Sequence, residues 1–255
     1  MNPNHLLDLK EIILNAGDLA LRYFARLTTL EVSYKNPRDL VSEADLAIEK
    51  YLIDRLRKVG IDAGFYGEET GQNANQSTRW IIDPIDGTHS FLRGQAFWSI
   101  SVALEIKGIL CLGAVYAPKL GDLYLAEKNQ GATKNGKPIH VSSIAQLSEA
   151  MVSTGFACLR AGLSENNLTR FNQVALQTLG QRRFGSAALD LCLVADAQVD
   201  IFWEMELNLY DIAAGALILL EAGGALLNFK GQPGIFPKEV LATNQLLTSQ
   251  VLPYL

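Results

Sequence analysis

Apolar residues recur near the N-terminus as Leu6, Leu9, Ile12, Ile13, Ala16, Leu19, Ala20 and Tyr23. This three-and-four spacing predicts an amphipathic helix with one face turned to a core. Thr28 to Tyr34 is rich in β-branched residues and reads as a short strand, followed by a Lys35-Asn36-Pro37-Arg38 loop. A second helix is predicted from Ser42 through Ile48, Leu52 and Leu56. Phe65-Tyr66 reads as a strand entering Gly67-Glu68-Glu69, where alternation would put the two glutamates on opposite faces. The polar run from Gly71 to Thr78 reads as a loop, and Trp80-Ile81-Ile82 as the end of a buried strand. Ser99 to Ile106 and Ile109 to Val115 predict strands joined by a Lys107-Gly108 turn. Asp122 to Ala126 and an Asn135-Gly136 turn extend a largely antiparallel meander.

A second lobe is expected from about residue 146, giving one domain over residues 1–255 with lobes of roughly 1–145 and 146–255. Met151 to Thr154 reads as a strand, Leu168 to Leu179 as a helix, and Leu189 through Val194 as an apolar helix. Val199 to Trp203 is a predicted strand, and Ile212 to Leu220 a helix closed by Gly223-Gly224. Ala225 to Phe229 returns as a strand.

With 49% hydrophobic and 19% charged residues, the chain can bury a substantial core. A net charge of −5 gives no basic footprint, so nucleic acid is not expected as a main partner. No apolar run approaches the ~18 residues that would span a bilayer. The start, Met1-Asn2-Pro3-Asn4-His5, is polar and lacks the pattern of a signal peptide. Cys111, Cys158 and Cys192 are widely spaced in apolar surroundings and are expected to be small buried hydrophobes. Together these features predict a cytoplasmic protein without a membrane anchor.

Candidate chemistry concentrates in Asp83-Pro84-Ile85-Asp86-Gly87-Thr88. Pro84 and Gly87 force a stiff turn immediately after a buried strand. Two carboxylates, a free carbonyl and a hydroxyl on that turn offer only oxygen ligands, which suits a hard divalent cation such as Mg²⁺. The same residues are also ordinary turn formers. Asp45 follows Ser42 by three positions, as in a helix capping box. Asp211 opens an apolar helix, where its carboxylate would favour the N-terminal dipole. Gly185-Ser186-Ala187-Ala188 reads either as a helix start with Ser186 as N-cap, or as small residues admitting a ligand. Lys35 reads as a solvated loop lysine, and His5 and His140 as isolated side chains. His89, beside the motif, stays open between a supporting role and a solvated one.

Four ordered segments carry a family resemblance. Asp83-Pro84-Ile85-Asp86-Gly87-Thr88 resembles the central motif of the inositol monophosphatase family of lithium-sensitive sugar phosphatases. Gly67-Glu68-Glu69-Thr70 and Tyr210-Asp211-Ile212-Ala213-Ala214-Gly215 resemble two further motifs of that family, and Asp39-Leu40-Val41-Ser42-Glu43-Ala44-Asp45 completes the set. The resemblance implies an α+β fold, a layered α-β-α-β-α sandwich. It also implies two or three Mg²⁺ ions held by Glu68, Asp83, the Ile85 carbonyl, Asp86 and Asp211. Thr88 and Asp45 would orient and deprotonate an attacking water, with Glu68 assisting. Substrate would meet Asp86, Gly87, Thr88, Gly185, Ser186, Ala187 and Glu204, and Lys35 would lie near the metals.

The implied reaction is hydrolysis of a small phosphorylated substrate, with myo-inositol 1-phosphate the leading candidate. Relatives act on adenosine 3′,5′-bisphosphate, fructose 1,6-bisphosphate or histidinol phosphate, and these remain alternatives. Thr88-His89-Ser90-Phe91, Ser186 and Tyr210 each depart from residues usual in the inositol enzymes. Glu204 is expected to favour polyol hydroxyls over a second phosphate. A homodimer and lithium inhibition are further implications. A reading of another class is a regulatory protein that binds a macromolecular partner on the same fold.

Overall fold

The computed structural model describes residues 4–36, 39–72 and 77–255, the side chains of 34–36, 39 and 72 excepted. Pro37, Arg38 and the side chain of Lys35 therefore lie outside the described residues. The first half contains α1 (Asn4–Phe24), β1 (Val32–Asn36), β2 (Asp39–Ser42), α2 (Glu43–Leu56), β3 (Gly64–Gly67), β4 (Gly71–Gln72), β5 (Thr78–Asp86) and α3 (Thr88–Leu92). Next come β6 (Ser99–Ile106), β7 (Ile109–Ala117), β8 (Asp122–Glu127), β9 (Ala132–Lys134) and β10 (Lys137–Pro138). The second half contains β11 (Met151–Thr154), α4 (Ala157–Arg160), α5 (Leu168–Ala175), β12 (Gly180–Arg182) and α6 (Ala187–Ala195). It ends with β13 (Ile201–Met205), α7 (Leu209–Glu221), β14 (Ala225–Leu227), β15 (Glu239–Thr243) and α8 (Thr248–Val251).

Strand alternation explains the layering. In β5, Trp80 and Ile82 point into one core while Ile81 points into another. In β6, Ile100, Val102 and Leu104 join the first and Ala103 the second. The first core is closed by Leu9, Ile13 and Ala16 of α1 with Ile48 and Leu52 of α2. The second is closed by α6 and α7, whose residues are apolar nearly all round because each helix is covered on both sides. Phe202 of β13 and Ala242 of β15 face that same second core, whereas Ile201, Trp203 and Leu241 face a third, with Val174 of α5 and Val251 of α8. The result is an α+β sandwich of five layers, α-β-α-β-α. Its sheets have eight strands, in the order β10-β9-β8-β7-β6-β5-β3-β4, and five, in the order β12-β11-β13-β15-β14.

The predicted two-residue hairpins are present. Lys107 and Gly108, and Asn135 and Gly136, all have positive φ, as a type I′ turn requires. Other elements differ from expectation. Residues 27–29 form a 3₁₀ turn, and the strand starts later, at Val32, to pair with Asp39–Ser42, so Lys35 and Asn36 of the expected loop lie in β1. Gly71–Gln72 pairs with β3, shortening the loop predicted there. The helix expected to reach Leu179 stops at Ala175, because Gly180–Arg182 is drawn out as an edge strand parallel to β11. Glu68 and Glu69 lie in a turn beyond β3, not on opposite faces of a strand. Cys158 and Cys192 are buried as expected, but Cys111 is only partly so. Among the described residues no helix is long and apolar enough to cross a membrane.

Candidate active site

β5 carries the acidic motif to its end. Asp83 is opposite Ser101 of β6 and Asp86 is opposite Ser99, so three steps on one strand face two on the other. The extra residue falls at Pro84-Ile85, where a bulge accommodates a residue that has no N–H to donate. This bulge bends the strand and is closed locally, with the Ile85 N–H donating to Asp83 Oδ1 at 3.1 Å. Gly87 follows at φ 97°, a left-handed turn in which a Cβ would stand only 3.0 Å from the Gly185 carbonyl. Glycine is needed here both for its conformation and for the close approach of the two lobes.

The hydroxyl of Thr88 lies 3.1 Å from the Ile85 carbonyl and 3.4 Å from Asp45 Oδ1. Asp45 is fixed by a capping box at the start of α2, where its Oδ2 accepts from the Ser42 N–H at 2.8 Å and from Ser42 Oγ at 2.6 Å. The cap thus uses Oδ2 and leaves Oδ1 facing the Thr88 hydroxyl. Burial pushes Asp45 up to about 6, against the opposing effect of the Ser42 hydrogen bonds.

Glu68 is placed by a device that the sequence reading missed. Glu49, buried in α2, accepts from the Glu69 and Thr70 N–H groups, each at 2.9 Å, and so clamps the turn that carries Glu68. A Cβ on Gly67 would stand 2.5 Å from the Glu49 carboxylate, so a side chain there would displace the clamp. The Glu68 N–H also donates to the Ile82 carbonyl at 3.1 Å, holding the turn beside β5.

Asp86 ties this lobe to the second. Its Oδ2 accepts from Ser186 Oγ and from the Ala188 N–H, both at 2.7 Å, at the start of α6. Ser186 is also the N-cap, accepting from the Leu189 N–H at 3.3 Å, and its Oγ lies 3.0 Å from Ser99 Oγ. Asp211 stands in the first turn of α7 and accepts from the Asn208 N–H at 2.6 Å. Glu204 accepts from the Ala157 N–H at 3.0 Å, over Gly155, where a Cβ would collide with its carboxylate.

Asp83, Asp86 and Asp211 each offer a carboxylate oxygen within 4.8 Å of the others. Burial raises all three: Asp86 to about 7, Asp211 to about 8, and Asp83 well above the usual carboxylate range. Neighbouring carboxylates add to each shift, Glu68 among them. Such a set relaxes either by holding protons or by binding a cation. All-oxygen donors with no thiol or imidazole among them fit a hard divalent ion.

Glu68, Asp83, Ile85, Asp86, Gly87, Thr88, Gly185 and Asp211 line one cleft, of about 520 Å³, together with His89 and Tyr210. The ring of Tyr210 lies 5.7 Å from that of Tyr66. Ser186, Ala187 and Glu204 are buried, and Ser186 connects to the cleft through Asp86. Arg160, Arg183, Glu206 and Asn208 also line the cleft and were not anticipated. Arg183 sits two residues before Gly185 and could have been suspected on that ground. Arg160 lies in a short helix with no periodic signal.

A family model described as the inositol monophosphatase family matches residues 4–254. An inositol-1-monophosphatase of Mesorhizobium japonicum is 36% identical over 242 residues, covering 94% of this chain and 91% of the relative. A putative Nus factor SuhB of Neisseria meningitidis is 35% identical over 240 residues, covering 93% and 92%. Among solved structures, the extragenic suppressor protein suhB of Bartonella henselae superposes with a TM-score of 0.90 at 33% identity, covering 97% of this chain and 96% of that one. The inositol monophosphatase of Anabaena gives a TM-score of 0.87 at 31% identity, covering 98% and 94%. With its acidic cleft and its five layers, this chain belongs to the inositol monophosphatase family.

Proposed function

We propose that the protein is a Mg²⁺-dependent phosphomonoesterase acting on a small polyol phosphate, with myo-inositol 1-phosphate as its reference substrate. The observation that carries this reading is the juxtaposition of the Asp83–Asp86–Asp211 cluster with the Thr88–Asp45 pair. Glu68, Asp83, the Ile85 carbonyl, Asp86 and Asp211 would hold two or three Mg²⁺ ions. When bound, these supply Lewis acidity toward water and toward the charge that develops on the phosphoryl oxygens.

The chain's own groups do the rest. Thr88 Oγ1 orients a water for in-line attack on phosphorus, and Asp45 takes up its proton, a role suited to a carboxylate raised to about 6. The N–H groups of Gly87 and Thr88 hold phosphate oxygens. Gly185 would meet the polyol directly, with Ser186, Ala187 and Glu204 as the buried support behind that wall. No residue is placed as a covalent nucleophile, so direct transfer to water is the expected course. By analogy with the family, the enzyme works in the cytoplasm as a homodimer and is inhibited by lithium.

The test is phosphate release from inositol 1-phosphate, adenosine 3′,5′-bisphosphate, fructose 1,6-bisphosphate and histidinol phosphate, with Mg²⁺ and then with EDTA. Turnover that requires Mg²⁺ and is lost in Asp83→Asn supports the reading; activity retained by that variant removes the metal mechanism. Relatives named Nus factor SuhB favour a second reading, in which the fold binds a macromolecular partner. Folded protein that binds Mg²⁺ yet turns over no ester would favour it.

A further inference from the structure

We propose that Ser99, acting through Ser186, restricts Asp86 to a single metal-binding oxygen and so tilts the acidic cleft toward ions of Mg²⁺ size over Ca²⁺. The inference rests on the metal-dependent reading above and concerns how that same site chooses its ion.

Hydrogen-bonding capacity carries the argument. Asp86 Oδ2 accepts from Ser186 Oγ and from the Ala188 N–H, both at 2.7 Å. A carboxylate oxygen has about two lone pairs, so this oxygen is filled. Among the described residues nothing donates to Oδ1, which is the oxygen left for a cation. Asp83 Oδ1 and Asp211 Oδ2, by contrast, each accept a single backbone N–H, from Ile85 at 3.1 Å and from Asn208 at 2.6 Å.

Ser186 is filled in turn. Its hydroxyl has one proton and room for about two donors. The proton goes to Asp86, and the Leu189 N–H donates to the hydroxyl oxygen at 3.3 Å. Ser99 Oγ, 3.0 Å away, must therefore donate into the remaining lone pair. Both serines are wholly buried, so bulk water does not compete for these positions. Ser99 pairs with Asp86 across β5 and β6 beyond the bulge, whereas Ser186 caps α6 in the second lobe. The orientation of Asp86 is thus tied to the docking of the two lobes.

Ion size follows from that restriction. Ca²⁺ takes about six to eight oxygens and accepts both oxygens of one carboxylate, whereas Mg²⁺ demands near-octahedral coordination. An Asp86 that offers one oxygen withholds a ligand that only the larger ion would use.

The experiment is titration calorimetry of EDTA-stripped protein with MgCl₂ and with CaCl₂, at one alkaline pH, on wild type, Ser99→Ala and Ser186→Ala. Mg²⁺ affinity should fall about tenfold in Ser186→Ala, the scale for losing a group that orients a metal ligand, while Ca²⁺ affinity holds or rises. Ser99→Ala should move the ratio of Mg²⁺ to Ca²⁺ affinity in the same direction by about threefold. A general loosening of the site would weaken both ions alike and leave that ratio unchanged. If Ser186→Ala, which also uncaps α6, does not fold, the ratio in Ser99→Ala decides. A ratio unmoved in Ser99→Ala overturns the lock while leaving the phosphatase reading intact. Wild-type protein that binds neither ion overturns both.

Discussion

Metal binding should be strongly linked to proton release, because the carboxylates that would hold the ion are held protonated without it. Burial and mutual repulsion raise Asp86 to about 7 and Asp211 to about 8, from an ordinary 3.8. At pH 5.5 both are essentially protonated in metal-free protein, and a divalent ion must displace both protons. Each displaced proton makes the apparent association constant rise about tenfold per pH unit below its pKa. Between pH 5.5 and 8.5, Asp211 then contributes about two and a half decades of Mg²⁺ affinity and Asp86 about one and a half. Titration calorimetry on EDTA-stripped protein, in two buffers of different ionisation enthalpy, should count at least about two protons released near pH 6, with Asp83 adding to the count from Asp86 and Asp211. Stability follows with a defined sign. These folded-state values lie above the unfolded ones, so the stabilisation is complete below about pH 4 and is lost as pH rises through about 7 to 8. Metal-free protein should therefore melt at lower temperature at pH 8 than at pH 5, and saturating Mg²⁺ should reverse that trend. Buffer-independent heats with a pH-flat affinity would refute the reasoning.

Other expectations test individual contacts. Thr88→Ala and Asp45→Asn should each lower kcat by about 10²- to 10⁴-fold, the range for a positioned proton acceptor, while calorimetric Mg²⁺ affinity shifts far less. Glu49→Ala removes the acceptor for the Glu69 and Thr70 N–H groups. It should cost about 2–3 kcal/mol in urea unfolding and raise the Mg²⁺ needed for half-maximal turnover; an unchanged requirement would show that the clamp does not position Glu68. Ser186→Ala leaves Asp86 with only the Ala188 N–H and uncaps α6. A loss of about 1–2 kcal/mol is expected from the chemical denaturation midpoint.

The two sides of the cleft differ in how they are written into the chain. Asp83, Ile85, Asp86, Gly87 and Thr88 are contiguous, and the stiffness of Pro84 and the φ of Gly87 fix their geometry within one turn. Residue types alone leave that turn open between a metal site and an ordinary turn, and the resemblance of its motif to a family supplies the choice. Asp45 was legible for a related reason, since the Ser42–Asp45 spacing defines a cap whose geometry does not depend on the rest of the fold. Glu49 was not anticipated. It lies one helical turn beyond Asp45 on the same buried face of α2, which marks it as a buried acid in need of donors, but the donors come from a turn 20 residues away.

Arg160 and Arg183 lie further from that kind of reading. The first ends a four-residue helix and the second follows a three-residue edge strand, elements too short to show a period. They line one cleft because β11, β12 and β13 are neighbours in a sheet whose partly parallel pairing joins residues that are distant in sequence. A metal cluster needs its ligands within a few ångströms of one another, so a single bulged strand can supply most of them. Selection among substrates needs charges placed across the width of a cleft, and only tertiary packing sets that distance. The wall that meets the substrate's far end can therefore change by single substitutions on α4 or after β12 while the acidic motif stays intact. That is why the motif points to the family, whereas the wall opposite it has to be read from the fold.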